Sequence, residues 1–292
     1  MSLPYPTNCP DLFPSLSRRR FLALTGMSIG ALAARPSRCQ AGLAFDADAL
    51  EIHDVSVPVP QLPRHLQGLT IAHLTDMHLQ QLGRVEESVL AAVQARNPAV
   101  VVQTGDMISS RKALPLLAEF CRALKAPGRH VLAIRGNYEV CAEIPVTDLR
   151  RLYGQAGARL LVNEHVALDV ALTIVGTEDS ITQHYDLCTA LRGLPTTPFR
   201  IHLSHTPEVF DWTYKPAVSF ALCLAGHMHG RQIRFPFLPP YVPEGAGQRF
   251  VAGWYPHTKM GPAYVSRGIS TTSMSLGLNC PPELPFLRLE RA

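Results

Sequence analysis

Short apolar runs, each ending in a polar loop, recur along most of the chain. Leu69-Thr-Ile-Ala-His-Leu74, Ala99-Val-Val-Val102 and His130-Val-Leu-Ala-Ile134 are too brief for helices and too continuous for half-exposed strands. They predict strands covered on both faces. Between them, Arg84 to Arg96 predicts a helix, because Val85, Val89 and Val93 recur four residues apart. Glu86 and Glu87 lie at its positive N-terminal end. Leu114 to Leu124 predicts a second helix. In the second half the helical signal fades. Arg159 to Val162, Ala171 to Val175, Phe199 to Leu203, Phe220 to Leu224 and Ala263 to Ser266 all predict strands. Ahead of the first buried run, Ile52 to Val59 alternates and contains proline, the pattern of an edge strand. Strands alternating with helices predict α/β layers.

The composition adds little until it is divided along the chain. The 292 residues are 47% hydrophobic and 17% charged, enough for a sizeable core. Residues 1–40 hold five arginines and one aspartate, a net charge of +4. The whole chain is also +4, so the other 252 residues balance to zero. No basic field remains for nucleic acid, and none is expected as a partner. Seven cysteines, Cys9, Cys39, Cys121, Cys141, Cys188, Cys223 and Cys280, form no Cys-x-x-Cys pair. That argues against a zinc ribbon, and the odd count argues against a fully paired disulfide framework.

Ser17-Arg-Arg-Arg-Phe-Leu22, a short apolar run and Ala31-Leu-Ala33 together make a signal-peptide pattern. The run is too short for a comfortable membrane span. Its basic cluster resembles the bacterial twin-arginine export signal. The expected organisation is therefore an export signal or anchor at 1–34, a linker and edge strand at 35–68, and one domain at 69–292. The twin-arginine machinery is an expected partner, and the periplasm or cell envelope the expected location.

The strongly polar clusters fall at strand ends. They are Thr75-Asp-Met-His78, Thr104-Gly-Asp106, Arg135-Gly-Asn-Tyr-Glu139, Ser204-His205 and Gly226-His-Met-His229. Loops at the carboxyl ends of strands are the usual place for a site in layered α/β proteins. Carboxylates and imidazoles without thiolates suit divalent manganese, iron or zinc.

Asp-x-His, Gly-Asp, Gly-Asn, His and Gly-His-x-His, in this order, resemble the calcineurin-like metallophosphoesterase family over roughly residues 68–270. The resemblance implies a four-layer αββα sandwich, with two mixed sheets face to face and helices outside. It implies two divalent metal ions, manganese first, with iron, zinc or a mixed pair as alternatives. Asp76, His78, Asp106 and His229 match one ion's ligands; Asn137, His205 and His227 match the other's, with Asp106 bridging. A hydroxide shared by the two ions would then attack phosphorus. The glycines before ligands, Gly105, Gly136 and Gly226, fit turns where a side chain would obstruct the centre.

Three positions depart from the family pattern. Tyr138 stands where the family commonly has histidine; a phenol donates a hydrogen bond but is a poor proton donor at pH 7. It is expected to orient phosphate, with a leaving group that needs little protonation. Arg231 stands where relatives have glycine, and would either clamp a second negative charge or face solvent. After Asp106 the chain reads Met-Ile-Ser-Ser, with no further acidic residue. Asp106, Asn137, Tyr138 and Arg231 are the candidate catalytic residues. Arg135, His184, Tyr185, Phe235, Phe237 and Tyr241 are candidate substrate contacts. The last three lie in the proline-stiffened stretch 234–241, read either as an apolar lip that meets acyl chains or the membrane surface, or as a loop packed on the domain. His73 and His202 are expected to be structural, and Arg267 to secure its own loop.

These readings converge on hydrolysis of a phosphodiester, phosphomonoester or pyrophosphate in a small-molecule or lipid-linked substrate. The alternative is a UDP-2,3-diacylglucosamine pyrophosphatase releasing UMP, against which the export pattern counts. A non-catalytic binding protein and a nuclease rank lower.

Overall fold

The computed structural model describes residues 50–195, 199–214, 217–230, 249–270 and 281–292. The expected export signal at 1–34, Arg231, Phe235, Phe237 and Tyr241 lie outside these residues. Among the described residues, no helix is long and apolar enough to cross a membrane.

Among the described residues, twelve strands form two six-stranded mixed sheets. The first joins β1 (Glu51–Val59), β12 (Glu283–Arg291), β2 (Thr70–Leu74), β3 (Val100–Thr104), β4 (His130–Ile134) and β5 (Arg159–Leu160), in that spatial order. The second joins β10 (Gly253–Tyr255), β11 (Ala263–Val265), β9 (Leu222–Ala225), β8 (Phe199–Leu203), β7 (Leu172–Gly176) and β6 (Glu164–Ala167). β2 through β5 run parallel, as do β7, β8 and β9. Their carboxyl ends therefore open onto one edge of each sheet.

Strand periodicity accounts for the layering. In β3 every residue is buried. Val100 and Val102 enter the core between the sheets, with Ile71, Ile201, Leu203 and Leu224. Val101 faces the other way, into the core beneath the helices. α1 (Arg84–Arg96) has the bounds its repeat predicts, buries Val89 and Val93, and ends at left-handed Asn97. α2 (Leu114–Ala123), α3 (Asn137–Cys141) and α4 (Val146–Gln155) follow. Leu117, Phe120, Leu149 and Tyr153 from α2 and α4 pack in the same outer core. The outer face of the second sheet is covered differently. There α5 (Leu187–Ala190), a short 3-10 turn at Pro207–Asp211, and Phe250 and Met260 form the third core.

The alternating edge strand is present, and it belongs to the main sheet: β1 pairs in parallel with β12 along its whole length.

Candidate metal centre

Asp76 and His78 follow β2, Asp106 follows β3, and Asn137 opens α3 just after β4. His205 follows β8, while His227 and His229 follow β9. Backbone bonds lace these turns together: Asp76 N donates to Gly105 O at 3.1 Å, His78 N to Asp106 O at 3.0 Å, and Gly226 N to His205 O at 3.1 Å. Asp76, His78, Asp106, His227 and His229 all have φ between 44° and 68°. Left-handed backbone costs a non-glycine residue about 1–3 kcal/mol, and it persists where the surroundings over-determine it. Five of the seven expected ligands carry that cost. Two glycines make the close approach possible. A Cβ on Gly226 would lie 2.2 Å from Asp76 Oδ2, and one on Gly136 would lie 2.2 Å from Asp106 Oδ1. A side chain at either glycine would thus meet the carboxylate of an expected ligand.

The side chains gather as two clusters, Asp76 with His78 and His229, and Asp106 with His205 and His227. Within each, the candidate ligand atoms lie within 4.8 Å of one another. His229 Nε2 is 3.2 Å from Asp76 Oδ1, and His205 Nε2 is 3.1 Å from Asp106 Oδ2. Asn137 Oδ1 and His227 Nδ1 stand 3.0 and 3.2 Å from His205 Nε2. Asp106 Oδ2 also faces His78 Nε2 of the first cluster at 4.0 Å. Asp106 thus has a histidine of each cluster within 4.0 Å of its Oδ2.

Outer partners fix the rings. His205 Nδ1 donates to Thr104 O at 2.8 Å, and His78 Nδ1 pairs with Ser109 Oγ at 2.7 Å. Each leaves its Nε2 turned inward, the arrangement that orients a metal-ligating imidazole. Asp76 Oδ2 accepts Thr75 Oγ1 at 2.7 Å and His227 N at 2.9 Å. His78 Nε2 is buried without a hydrogen-bond partner. Buried polar atoms are rarely orphaned, and this one faces Asp106 Oδ2 at 4.0 Å.

The charges agree with this. Burial alone would raise the Asp76 and Asp106 carboxyls. The nearby imidazoles, His229 chiefly for Asp76 and His205 for Asp106, instead hold both below the usual carboxylate range. Burial pushes His78 and His227 down to about 4, so both are neutral at pH 7. His205 and His229 are desolvated too, yet Asp106 and Asp76 raise them. Ionised carboxylates and neutral imidazoles are ligand-competent, and the protons on His205 and His229 would leave as cations bind. The donor set fits a pair of divalent ions.

Glu139 completes the scaffold, and sequence spacing did not single it out. Its carboxylate is buried and accepts four backbone amides from the two turns that carry Asp106 and Asn137. Ser109 and Thr104 were likewise missed.

Tyr138 sits at the rim. Its ring meets His78 edge-on, centroids 4.7 Å apart, and its amide donates to Asp106 Oδ1 at 2.9 Å. Two expected substrate contacts are engaged within the protein. Arg135 is buried in a two-pronged ion pair with Glu178, its Nε donating to Oε1 at 3.0 Å and its Nη2 to Oε2. A guanidinium so engaged serves the scaffold rather than a ligand. Tyr185 packs on the outer core of the second sheet, edge-on to His202 and Trp212, with its hydroxyl accepting from Tyr214. His184, beside it, is exposed, and its carbonyl accepts from Asn163.

The residues expected to be structural are so. His73 pairs with Thr104 Oγ1 at 2.8 Å, and His202 stacks on Phe220 and pairs with Thr177. Arg267 is bound to Glu283 and Glu51. Cys141, at the end of α3, is disulfide-bonded.

A calcineurin-like phosphoesterase family model matches residues 69–231. The uncharacterized metallophosphoesterase YkuE of Bacillus subtilis (strain 168) is 28% identical over 293 aligned residues, covering 94% of this chain and 98% of that protein. The uncharacterized metallophosphoesterase YkoQ of the same organism is 28% identical over 229 residues, 75% of this chain and 82% of that protein. The UDP-2,3-diacylglucosamine pyrophosphatase LpxG of Chlamydia muridarum (strain MoPn / Nigg) is 26% identical over 244 residues, 66% of this chain and 73% of that protein.

Proposed function

The chain belongs to the calcineurin-like phosphoesterase family and is a metal-dependent hydrolase, and we propose that it cleaves a phosphodiester, phosphomonoester or pyrophosphate in the bacterial envelope. The observation that carries this reading is the position of Asp106, whose Oδ2 faces His205 and His78 in the two clusters at once. Two divalent ions, manganese in this proposal, would supply Lewis acidity and bring the pKa of bound water down to near neutral.

The chain's own residues do the rest. Asp76, His78, Asp106 and His229 hold one ion, and Asp106, Asn137, His205 and His227 the other. Tyr138, at the rim beside His78, offers a phenolic hydroxyl to a phosphoryl oxygen. Because a phenol keeps its proton at pH 7, the substrate is one whose leaving group departs with little protonation. A nucleotide or phosphorylated sugar leaving a pyrophosphate, or an acidic alcohol leaving a diester, meets that condition.

Envelope placement is supported by Ser17-Arg-Arg-Arg-Phe-Leu22. In this proposal the twin-arginine machinery exports the protein, and Phe235, Phe237, Tyr241 and Arg231 meet a lipid-linked substrate or the membrane surface. The second reading, cleavage of UDP-2,3-diacylglucosamine, is favoured by the likeness to LpxG.

The test gives manganese-loaded protein bis(p-nitrophenyl) phosphate and UDP-2,3-diacylglucosamine side by side, with Asp106→Asn as control. Asp106-dependent hydrolysis of the small diester alone supports an envelope phosphodiesterase. Rapid UMP release moves the assignment to the second reading. Inactivity on both substrates with two ions bound overturns the diester and pyrophosphate readings.

A further inference from the structure

Beside the seven ligands lies another buried acid that the proposed chemistry does not use. Asp179 follows β7 in the run Gly176-Thr-Glu-Asp-Ser180. β7, β8 and β9 are parallel neighbours, so this loop shares an edge with those that carry His205 and His227. It is strapped to the strand that ends in His205. Thr177 N donates to Leu203 O at 3.1 Å, and Ser180 Oγ pairs with Thr206 Oγ1 at 2.5 Å.

The Asp179 side chain is 0% exposed. Its Oδ2 accepts the Thr182 amide at 2.8 Å, which fixes the plane of the carboxylate. Its Oδ1 is buried with no hydrogen-bond partner. Capping the turn at Thr182 needs one oxygen, and an amide side chain would supply it equally well. A second, orphaned oxygen in a dry position is costly unless something positive arrives nearby. Burial holds the Asp179 carboxyl above the ordinary carboxylate range, so its charge is favoured only with a cation close by. The two straps, at Leu203 and Thr206, bracket His205 and set the Asp179 loop beside the half of the centre that contains it.

We infer that Asp179 is a positioning residue for the cation held by that half, a fixed negative charge near His205 that tightens this ion and leaves the one at Asp76, His78 and His229 largely unaffected. This inference rests on the two-metal reading above.

The test titrates the metal-free full chain with Mn2+ by calorimetry, in wild type and in an Asp76→Asn background that isolates the second half. Asp179→Asn removes the charge but keeps an acceptor for Thr182; Asp179→Ala removes both. In the isolating background, Asp179→Asn is expected to bind Mn2+ roughly ten- to hundredfold more weakly. Its metal-free form should unfold at an unchanged or higher urea midpoint, because a buried charge has gone. A merely structural residue would give the opposite pair. Equal Mn2+ affinity for Asp179→Asn and its parent overturns the inference and leaves Asp179 a turn cap, whether or not Asp179→Ala is impaired. Wild-type protein that takes up fewer than two ions overturns the two-metal reading itself, and the inference with it.

Discussion

The carboxylate of Glu139 accepts the backbone amide of Asp106 at 3.0 Å. It also takes the amides of Met107 at 2.7 Å, Ile108 at 3.1 Å and Gly136 at 2.9 Å. Four donors from two turns thus end on one buried side chain, which sets the spacing of Asp106 and Asn137. Glutamine there would press an NH2 group against amide donors. Glu139→Gln is therefore expected to lower the unfolding free energy by about 2–3 kcal/mol and to retain fewer than two ions per chain. Urea unfolding and metal analysis check both. A variant with wild-type stability and two ions would show that the amides do not need the charge.

Arg135 and Glu178 form a buried ion pair. Arg135→Met or Glu178→Leu alone should destabilise by about 3–5 kcal/mol, whereas the double variant should recover most of that. KM for a small diester should be unchanged in the double variant. A raised KM there would return Arg135 to the substrate site.

The parts of this architecture that were legible in the sequence are those with a local signal. β3 and β4 are runs of apolar residues covered on both faces, and α1 carries its own repeat and cap. The ligand turns were legible because each couples a short motif to a strand end. β12 was not, because Glu283-Leu-Pro-Phe-Leu-Arg-Leu-Glu-Arg291 mixes proline and charge, and its place is set by long-range pairing with β1. α4 was missed because it buries Leu149 and Tyr153 in an otherwise polar segment. The protein partners of Arg135 and Tyr185 were hidden for one reason. Sequence places a residue near a loop, but not on a face of the sheet. Tyr185 packs with His202, which faces away from the inter-sheet core that its neighbours Ile201 and Leu203 enter.

His202 makes acid stability testable. Burial pushes its pKa down to about 3 from an ordinary 6.5, so the folded protein keeps this ring neutral while the unfolded chain protonates it. Between those values the unfolded state binds more protons, and stability falls as pH falls from 6.5 toward 3. His73, also lowered to about 3 by burial, adds to the same slope. The metal-free protein should show a declining urea midpoint across this window, and His202→Leu should flatten the decline. An identical slope in the variant would place the acid sensitivity elsewhere.

Tyr138 gives the sharpest test of substrate class. Its ring is held edge-on against His78, and in the proposed function its hydroxyl donates to a phosphoryl oxygen without serving as a proton source at pH 7. If that hydroxyl stabilises charge in the transition state, Tyr138→Phe should lower kcat about ten- to hundredfold on an activated diester. Tyr138→His would add a group able to protonate a departing oxygen. It should raise hydrolysis of alkyl esters relative to p-nitrophenyl esters by roughly tenfold or more. The measurement is kcat/KM against leaving-group pKa for the three proteins. Wild type should fall steeply as the leaving group becomes more basic, and Tyr138→His should fall less. A shallow wild-type line would mean that some other group protonates the leaving oxygen, and the preference for acidic leaving groups would then have to be abandoned.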